Sequence, residues 1–270
     1  MGRILSSTTG YLAEAGFTHS LTPARNCTFG CTYCYVPTMR IYGGLKPEDW
    51  RRWGQFTTFK PGAAASLARE LRCEQRIYCS PLVDPYQPAE AEERAMPGIL
   101  DAVIARPPAV FVVQTRGTLI LRDVERLRKI PRLRVSFSIT TDRDEVRRLY
   151  EPHCAPIEER LEAIRALREA GIEVYATLAP ILPCDPERLA RLAIEASGRD
   201  LVGDPLHVRA VKPRGATTRE AAFRIAQTQG HSEWLDAEFQ ARMVARIEAE
   251  ARRAGVAFDT GPRGFGKLAA

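Results

Sequence analysis

The residues with most chemistry to offer stand together near the start of the chain: Cys27, Cys31 and Cys34, spaced Cys-x3-Cys-x2-Cys in the run Asn26-Cys-Thr-Phe-Gly-Cys-Thr-Tyr-Cys-Tyr35. Three thiolates on one tight loop can each take one iron of a [4Fe-4S] cluster, whereas clusters used only for electron transfer normally recruit a fourth cysteine. One iron is then left open to a ligand that is itself a reactant. A structural zinc site is the minor alternative, because it needs four closed ligands, usually as two pairs, and no second Cys-x2-Cys or His-x3-His completes one. A disulfide framework fits less well, since the thiols are crowded and the chain holds an odd total of seven cysteines.

Such a loop needs a scaffold, and the composition provides for one. The 270 residues are 45% hydrophobic and 27% charged, enough for one large α/β core. The first 25 residues contain no apolar stretch of signal-peptide length, and no run of about 18 apolar residues could span a membrane. A reducing, cytoplasmic setting and a monomer with no membrane partner are expected. The net charge of +6 invites a nucleic-acid reading, yet of 39 basic residues only five are lysines (Lys46, Lys60, Lys129, Lys212 and Lys267), so 39 − 5 = 34 are arginines. They are scattered among acids, and pairs such as Arg51-Arg52, Arg147-Arg148 and Arg252-Arg253 read as solvated helix surface. A nucleic-acid footprint would require one basic face or groove.

Apolar runs predict strands at 17–21, 75–79, 109–114, 134–139, 173–179 and 205–211. Apolar residues at three- and four-residue spacing predict helices at 64–71, 91–105, 122–130, 157–170 and 186–197. Pro156 and Pro186 suit helix starts, and Gly171 and Gly198 suit helix ends. The strand ends Cys79, Gln114, Ile139, Ala179 and Val211 are 35, 25, 40 and 32 residues apart. Each interval suits one βαβ unit, and successive right-handed units curve into a barrel or partial barrel with its chemistry at the strands' carboxyl ends. A flat doubly wound sheet is the alternative, without a Gly-x-Gly-x-x-Gly turn in its support. The expected fold is α/β, a partial (βα)6 TIM-like barrel over 1–216. A C-terminal helical extension over 217–270 packs on the same domain, with a helix at 237–254 and a Gly-rich end at 261–266.

Polar residues gather at the predicted carboxyl ends: Val83-Asp84-Pro85-Tyr86-Gln87-Pro88-Ala89-Glu90, Thr115-Arg116-Gly117, Ser136-Phe137-Ser138-Ile139-Thr140-Thr141, Glu151-Pro152 and Ala179-Pro180-Ile181-Leu182-Pro183. Together with the cysteine motif, this order resembles the spore photoproduct lyase-like branch of the radical S-adenosylmethionine (SAM) superfamily from about Ser6 to Lys212. The cysteine motif is highly specific, the combination is specific for the branch, and each later motif alone is weak.

The resemblance implies a [4Fe-4S] cluster on Cys27, Cys31 and Cys34, and SAM on the open iron. It implies that Tyr33 and Tyr35 neighbour SAM, that Ala179 lies near adenine, and that Asp84, Thr115, Arg116 and Ser138 reach its polar groups. Arg116 suits the SAM carboxylate by bidentate pairing, with a surface salt bridge as the plain reading; Asp84 reads equally as a turn cap. Glu151 and Arg160 are expected to form a structural ion pair. The implied activity is reductive cleavage of SAM to a 5′-deoxyadenosyl radical that takes hydrogen from a substrate, with a flavodoxin- or ferredoxin-like reductant. Substrate class stays open among a DNA lesion, a peptide, a nucleoside and a small metabolite. An iron-sulfur electron carrier, or a nucleic-acid-binding module with a structural cluster, remains as the alternative. Cys79 is expected to be a buried strand residue, and its offset from Asp84 departs from the lyase pattern for a hydrogen-donating thiol. Cys73, Cys154, Cys184 and the four histidines receive no role.

Overall fold

The computed structural model describes residues 3–43, 47–208 and 218–270. Its strands are β1 (Leu5–Ser7), β2 (His19–Leu21), β3 (Ala24–Arg25), β4 (Thr58–Phe59), β5 (Arg76–Cys79), β6 (Val110–Thr115), β7 (Leu133–Ser138), β8 (Glu173–Ile181), β9 (Leu201–Pro205) and β10 (Phe258–Thr260). The helices are α1 (Tyr11–Glu14), α2 (Ala63–Glu70), α3 (Glu90–Glu93), α4 (Ala95–Ala105), α5 (Val124–Leu127), α6 (Asp144–Tyr150), α7 (Ile157–Glu169), α8 (Pro186–Ser197), α9 (Glu220–Thr228), α10 (Ala237–Arg253) and α11 (Gly261–Gly266).

One sheet runs β1-β2-β5-β6-β7-β8-β9-β10, with β1 antiparallel to β2 and every later neighbour parallel. Its order never reverses, so the crossovers keep one direction of winding, as in a barrel and unlike a doubly wound sheet. Period-two alternation explains its two faces. Ile77 and Cys79 of β5, Phe111 and Val113 of β6, Val135 and Phe137 of β7, and Val174 and Ala176 of β8 pack into the main core with helix residues such as Leu67, Ile99, Ile164 and Leu189. The intervening Tyr78, Val110, Val112 and Tyr175 face a second core with Phe17, Phe265 and Leu268.

Several boundaries differ from the sequence expectation, each for a local reason. The predicted helix over 91–105 is broken at Arg94 (φ 52°), where the buried Glu90 carboxylate caps α4 by accepting from Ala95 N at 3.0 Å and Met96 N at 2.9 Å. The predicted helix over 122–130 is a 3-10 turn at Thr118–Asp123 followed by the short α5. The last strand of the expected barrel lies at Leu201–Pro205, earlier than predicted; Gly203 and Asp204 look like turn formers in sequence. Gly203 is required inside the strand, because a Cβ there would come within 2.7 Å of both the Leu178 carbonyl oxygen and the Phe258 ring. The rest of the predicted 205–211 strand falls partly on 209–211, outside the described residues, as does the expected boundary at 216/217.

The segment after 218 is more than helical. It supplies β10 to the sheet edge, and α10 packs on α8. Within it Asp236 caps α10 by accepting from Phe239 N at 2.7 Å. No helix among the described residues is long and apolar enough to cross a membrane.

Candidate functional site

The cysteine loop follows β3, and the shape it takes is imposed from outside it. Asn26 adopts a left-handed conformation (φ 63°), one that Asn tolerates better than most residues. Its Oδ1 accepts from Cys27 N at 2.8 Å and Gly54 N at 3.2 Å. Gln87, fully buried after β5, accepts from Thr28 N at 2.8 Å and donates to the Asn26 carbonyl at 3.4 Å. On the far side Thr32 N donates to the Tyr150 carbonyl at 2.9 Å. Gly54 (φ 87°) presses on Gly30 so closely that a Cβ at Gly54 would lie 2.7 Å from the Gly30 Cα. These braces turn Cys27, Cys31 and Cys34 onto the wall of one cavity of about 760 Å³ at the carboxyl ends of the strands. Cys27 and Cys31 are buried and Cys34 partly so.

The same cavity is walled by Tyr33, Tyr35, Asp84, Arg116, Ser138 and Ala179. Thr115 stands behind it: its hydroxyl donates to Asp84 Oδ1 at 2.6 Å, while Asp84 also accepts from Tyr86 N at 2.9 Å and from Arg116 N at 2.8 Å. Asp84 therefore does cap a turn, while also facing the site. Burial pushes its carboxyl above the usual range, and the Thr115 hydroxyl and Arg116 oppose that.

Arg116 is already engaged. Its guanidinium pairs with Glu151 Oε1, bonds the Tyr33 hydroxyl oxygen, and approaches Cys31 Sγ at 3.6 Å. Glu151 accepts in turn from the Tyr33 hydroxyl and from Arg160, each at 2.5 Å, and Arg160 donates to the Ser138 carbonyl. The expected Glu151–Arg160 pair is thus present and wholly buried. Burial disfavours the Glu151 carboxylate, but Arg160 and Arg116 outweigh it and hold this carboxyl down at about 2. The network ties the cysteine loop through Tyr33 to the end of β7 and to α7. In this structure the charge of Arg116 is shared with Glu151.

The donor set fits an iron-sulfur cluster. Three thiols on a single loop line a common wall, and the Arg116 cation beside Cys31 suits a thiolate-ligated anionic centre. Burial pushes the Cys27 thiol up and the Cys34 thiol up to about 12, so metal binding there must displace protons. Among the described residues no three His, Cys, Asp or Glu side chains are gathered closely enough to hold a single metal ion. Ser138 lines the cavity, and its buried hydroxyl bonds no protein atom, a polar group with spare hydrogen-bonding capacity.

Cys79 lies in the helix-side core and faces away from the cavity, and Cys184 is buried in the same core, whereas Cys73 is exposed. Cys154 sits beside Cys31, whose thiol it pulls down by hydrogen bonding. Asn26, Gln87 and Gly54 are functional braces that sequence reading missed. Their signal was faint: an Asn before the first cysteine and a Gln three residues after Asp84.

A family model described as "Radical SAM superfamily" matches residues 21–193. An uncharacterized protein of Methanocaldococcus jannaschii is 28% identical over 157 residues, covering 58% of this chain and 58% of that protein. An uncharacterized protein of Mycobacterium bovis is 29% identical over 179 residues, 63% of this chain and 52% of that one. The chain thus spans little more than half the length of these relatives. Among solved structures, a spore photoproduct lyase mutant with dinucleoside spore photoproduct has a TM-score of 0.56 at 15% identity, covering 91% of this chain and 77% of that one. Streptococcus suis SuiB bound to S-adenosylmethionine has a TM-score of 0.56 at 14% identity, covering 89% of this chain and 50% of that one. At these identities the structural matches speak for the fold: a partial barrel shared with radical SAM enzymes.

Proposed function

This chain belongs to the radical SAM superfamily, and we propose that it is an enzyme holding a [4Fe-4S] cluster on Cys27, Cys31 and Cys34 and cleaving SAM for hydrogen abstraction. The observation that carries the reading is the convergence of those three cysteines with Tyr33, Tyr35, Asp84, Arg116, Ser138 and Ala179 on one cavity. When bound, the cluster and SAM supply one-electron cleavage of the sulfonium carbon-sulfur bond, giving methionine and a 5′-deoxyadenosyl radical. Every other contribution comes from the chain.

Ser138 offers its spare hydroxyl to the polar end of SAM, and Tyr35, whose hydroxyl is tied to the Pro81 carbonyl at 2.6 Å, offers a fixed ring face. Ala179, at the end of β8, leaves room for a flat purine. Arg116 sets a positive potential over Cys31 while Glu151 and Tyr33 fix its orientation. The surrounding strands and helices exclude water from the wall where a radical forms. A flavodoxin- or ferredoxin-like partner supplies the electron, in the cytoplasm, to a monomer. The fold leaves the substrate to the loops: one structural neighbour, spore photoproduct lyase, is seen with a dinucleoside spore photoproduct, and another, SuiB, bound to a precursor peptide. A lesion lyase activity is one such outcome. The branch resemblance supports it, and the core-facing position of Cys79 leaves it without a hydrogen donor at that position.

Anaerobic reconstitution tests the reading. Electron paramagnetic resonance of the reduced protein is expected to change when SAM is added, and dithionite to release 5′-deoxyadenosine. Alanine at any of the three cysteines is expected to abolish both. A spectrum indifferent to SAM, with no 5′-deoxyadenosine, would instead favour an electron carrier or a nucleic-acid-binding protein.

A further inference from the structure

The cavity has a second polar wall that the radical chemistry leaves unused. Arg25, the last residue of β3, and Lys60, directly after β4, are brought together by the β3–β4 ribbon, whose register pairs Arg25 with Thr58 and Ala24 with Phe59. Both line the cavity. Lys60 is partly buried; its ammonium is pushed down first by burial and then by the Arg25 cation, with Glu70 opposing. That opposition is weak, since the Glu70 carboxylate accepts from Ile4 N at 2.9 Å and Leu5 N at 3.1 Å and lies 4.0 Å from Arg3. Among the described residues, none of the ion pairs includes Arg25 or Lys60.

Arg25 is exposed and Lys60 partly buried on the same cavity wall, neither within ion-pair distance of a carboxylate; like charges so placed disfavour each other, and an anion between them relieves it. Hydroxyls complete the wall. Lys60 N donates to the Pro23 carbonyl at 2.9 Å, which sets it next to Thr22, and Ser80 Oγ donates to Thr22 Oγ1 at 3.4 Å; both hydroxyl residues line the cavity. A planar fork, a point charge and two hydroxyls match the oxygen-rich, multiply charged surface of phosphate better than a single carboxylate.

We propose that Arg25 and Lys60, with Thr22 and Ser80, bind a phosphate group of the substrate and anchor it on the cavity wall beside the cysteine loop. The substrate class is therefore a phosphate ester. Arg25 lies two residues before Cys27, so an anchored ester keeps the rest of the molecule inside the reacting cavity. The proposal names the substrate class for the reading above and rests on it for the chemistry that follows binding.

The test is titration of the reconstituted full chain with inorganic phosphate, dimethyl phosphate and acetate at matched ionic strength, with saturating SAM and without it. Phosphate is expected to bind with SAM present or absent. Its Kd is expected to rise at least about tenfold in Lys60→Met and in Arg25→Met, to stay within about threefold in Lys60→Arg, and to be unchanged in Arg76→Met. Melting in phosphate-free buffer guards against misfolding: relieving the repulsion should leave Lys60→Met at least as stable as the parent, while added phosphate should stabilise the parent more than Lys60→Met. Dimethyl phosphate binding as well as inorganic phosphate points to an internal diester, and weaker binding to a terminal monoester; either supports the proposal. Absence of phosphate binding, equal or tighter acetate binding, or full binding by the Lys60→Met/Arg25→Met double variant overturns it. None of these readouts needs SAM cleavage, so the phosphate site can fail while 5′-deoxyadenosine still forms, and the reverse.

Discussion

Glu151 and Arg160 form an ion pair at 2.5 Å with neither side chain exposed to solvent. Removing one partner of such a pair leaves the other charge stranded, at a cost of about 3–5 kcal/mol. Glu151→Gln is expected to lower stability by that order in denaturant unfolding, and Arg160→Met likewise. A paired Glu151→Leu/Arg160→Met variant should recover part of the loss, although Arg116 then keeps an unmatched charge. Equal losses in single and double variants would contradict the coupling.

The acid limb of the stability profile follows from the same carboxyl. Its ordinary value of 4.5 falls to about 2 in the folded chain, because Arg160 and Arg116 overcome burial. A carboxyl depressed on folding stabilises the protein above its unfolded pKa, and that stability is lost as pH falls through the folded one. About 3 kcal/mol is therefore expected to disappear between roughly pH 4.5 and 2. Unfolding measured across that window should be steep in the parent and flatter in Glu151→Gln.

Ser138→Ala separates stability from ligand binding. The hydroxyl is buried without a protein partner, so deleting it should change unfolding free energy of the ligand-free chain by less than about 1 kcal/mol, with a gain as readily as a loss. SAM affinity of the reconstituted protein should nevertheless fall by about five- to tenfold, the value of one hydrogen bond. Equilibrium dialysis with labelled SAM checks this, and unchanged affinity would remove Ser138 from the site.

Gly54→Ala tests the brace under the cysteine loop. Its left-handed backbone (φ 87°) and the 2.7 Å approach of a new Cβ to Gly30 Cα leave no room for a methyl group. A loss of more than about 2 kcal/mol is expected, with iron content after reconstitution reduced although all three cysteines remain. Melting and iron assay together decide it.

Gln87→Leu removes one acceptor and one donor from the same loop while keeping its bulk. It leaves Thr28 N without its partner, which should cost about 1–3 kcal/mol. The reconstituted cluster should bleach faster in air than in the parent; equal bleaching rates would make Gln87 a packing residue only.

How far the chain could be read without coordinates depended on how local the signal was. The cysteine spacing, the proline-started α8 and the period-two strands β5 to β8 are written within a few residues of each other. The braces Asn26–Gln87, Gly30–Gly54 and Thr32–Tyr150 join positions far apart, so no periodicity announces them. Gly203 fell outside the predicted 205–211 strand because its true constraint, the Phe258 ring, arrives 55 residues later. The charge of Arg116 is visible in sequence, and its engagement with Glu151 is not.

The contacts that mould the cysteine loop come from residues 59 and 118 positions further along the chain. A small zinc module gathers its ligands around the ion and is shapeless without it. In the proposed cluster site the order is reversed: the polypeptide completes its tertiary contacts before the three cysteines form a socket. On that reading metal delivery would be a late step onto a completed shell, and nascent chains still on the ribosome would be poor recipients.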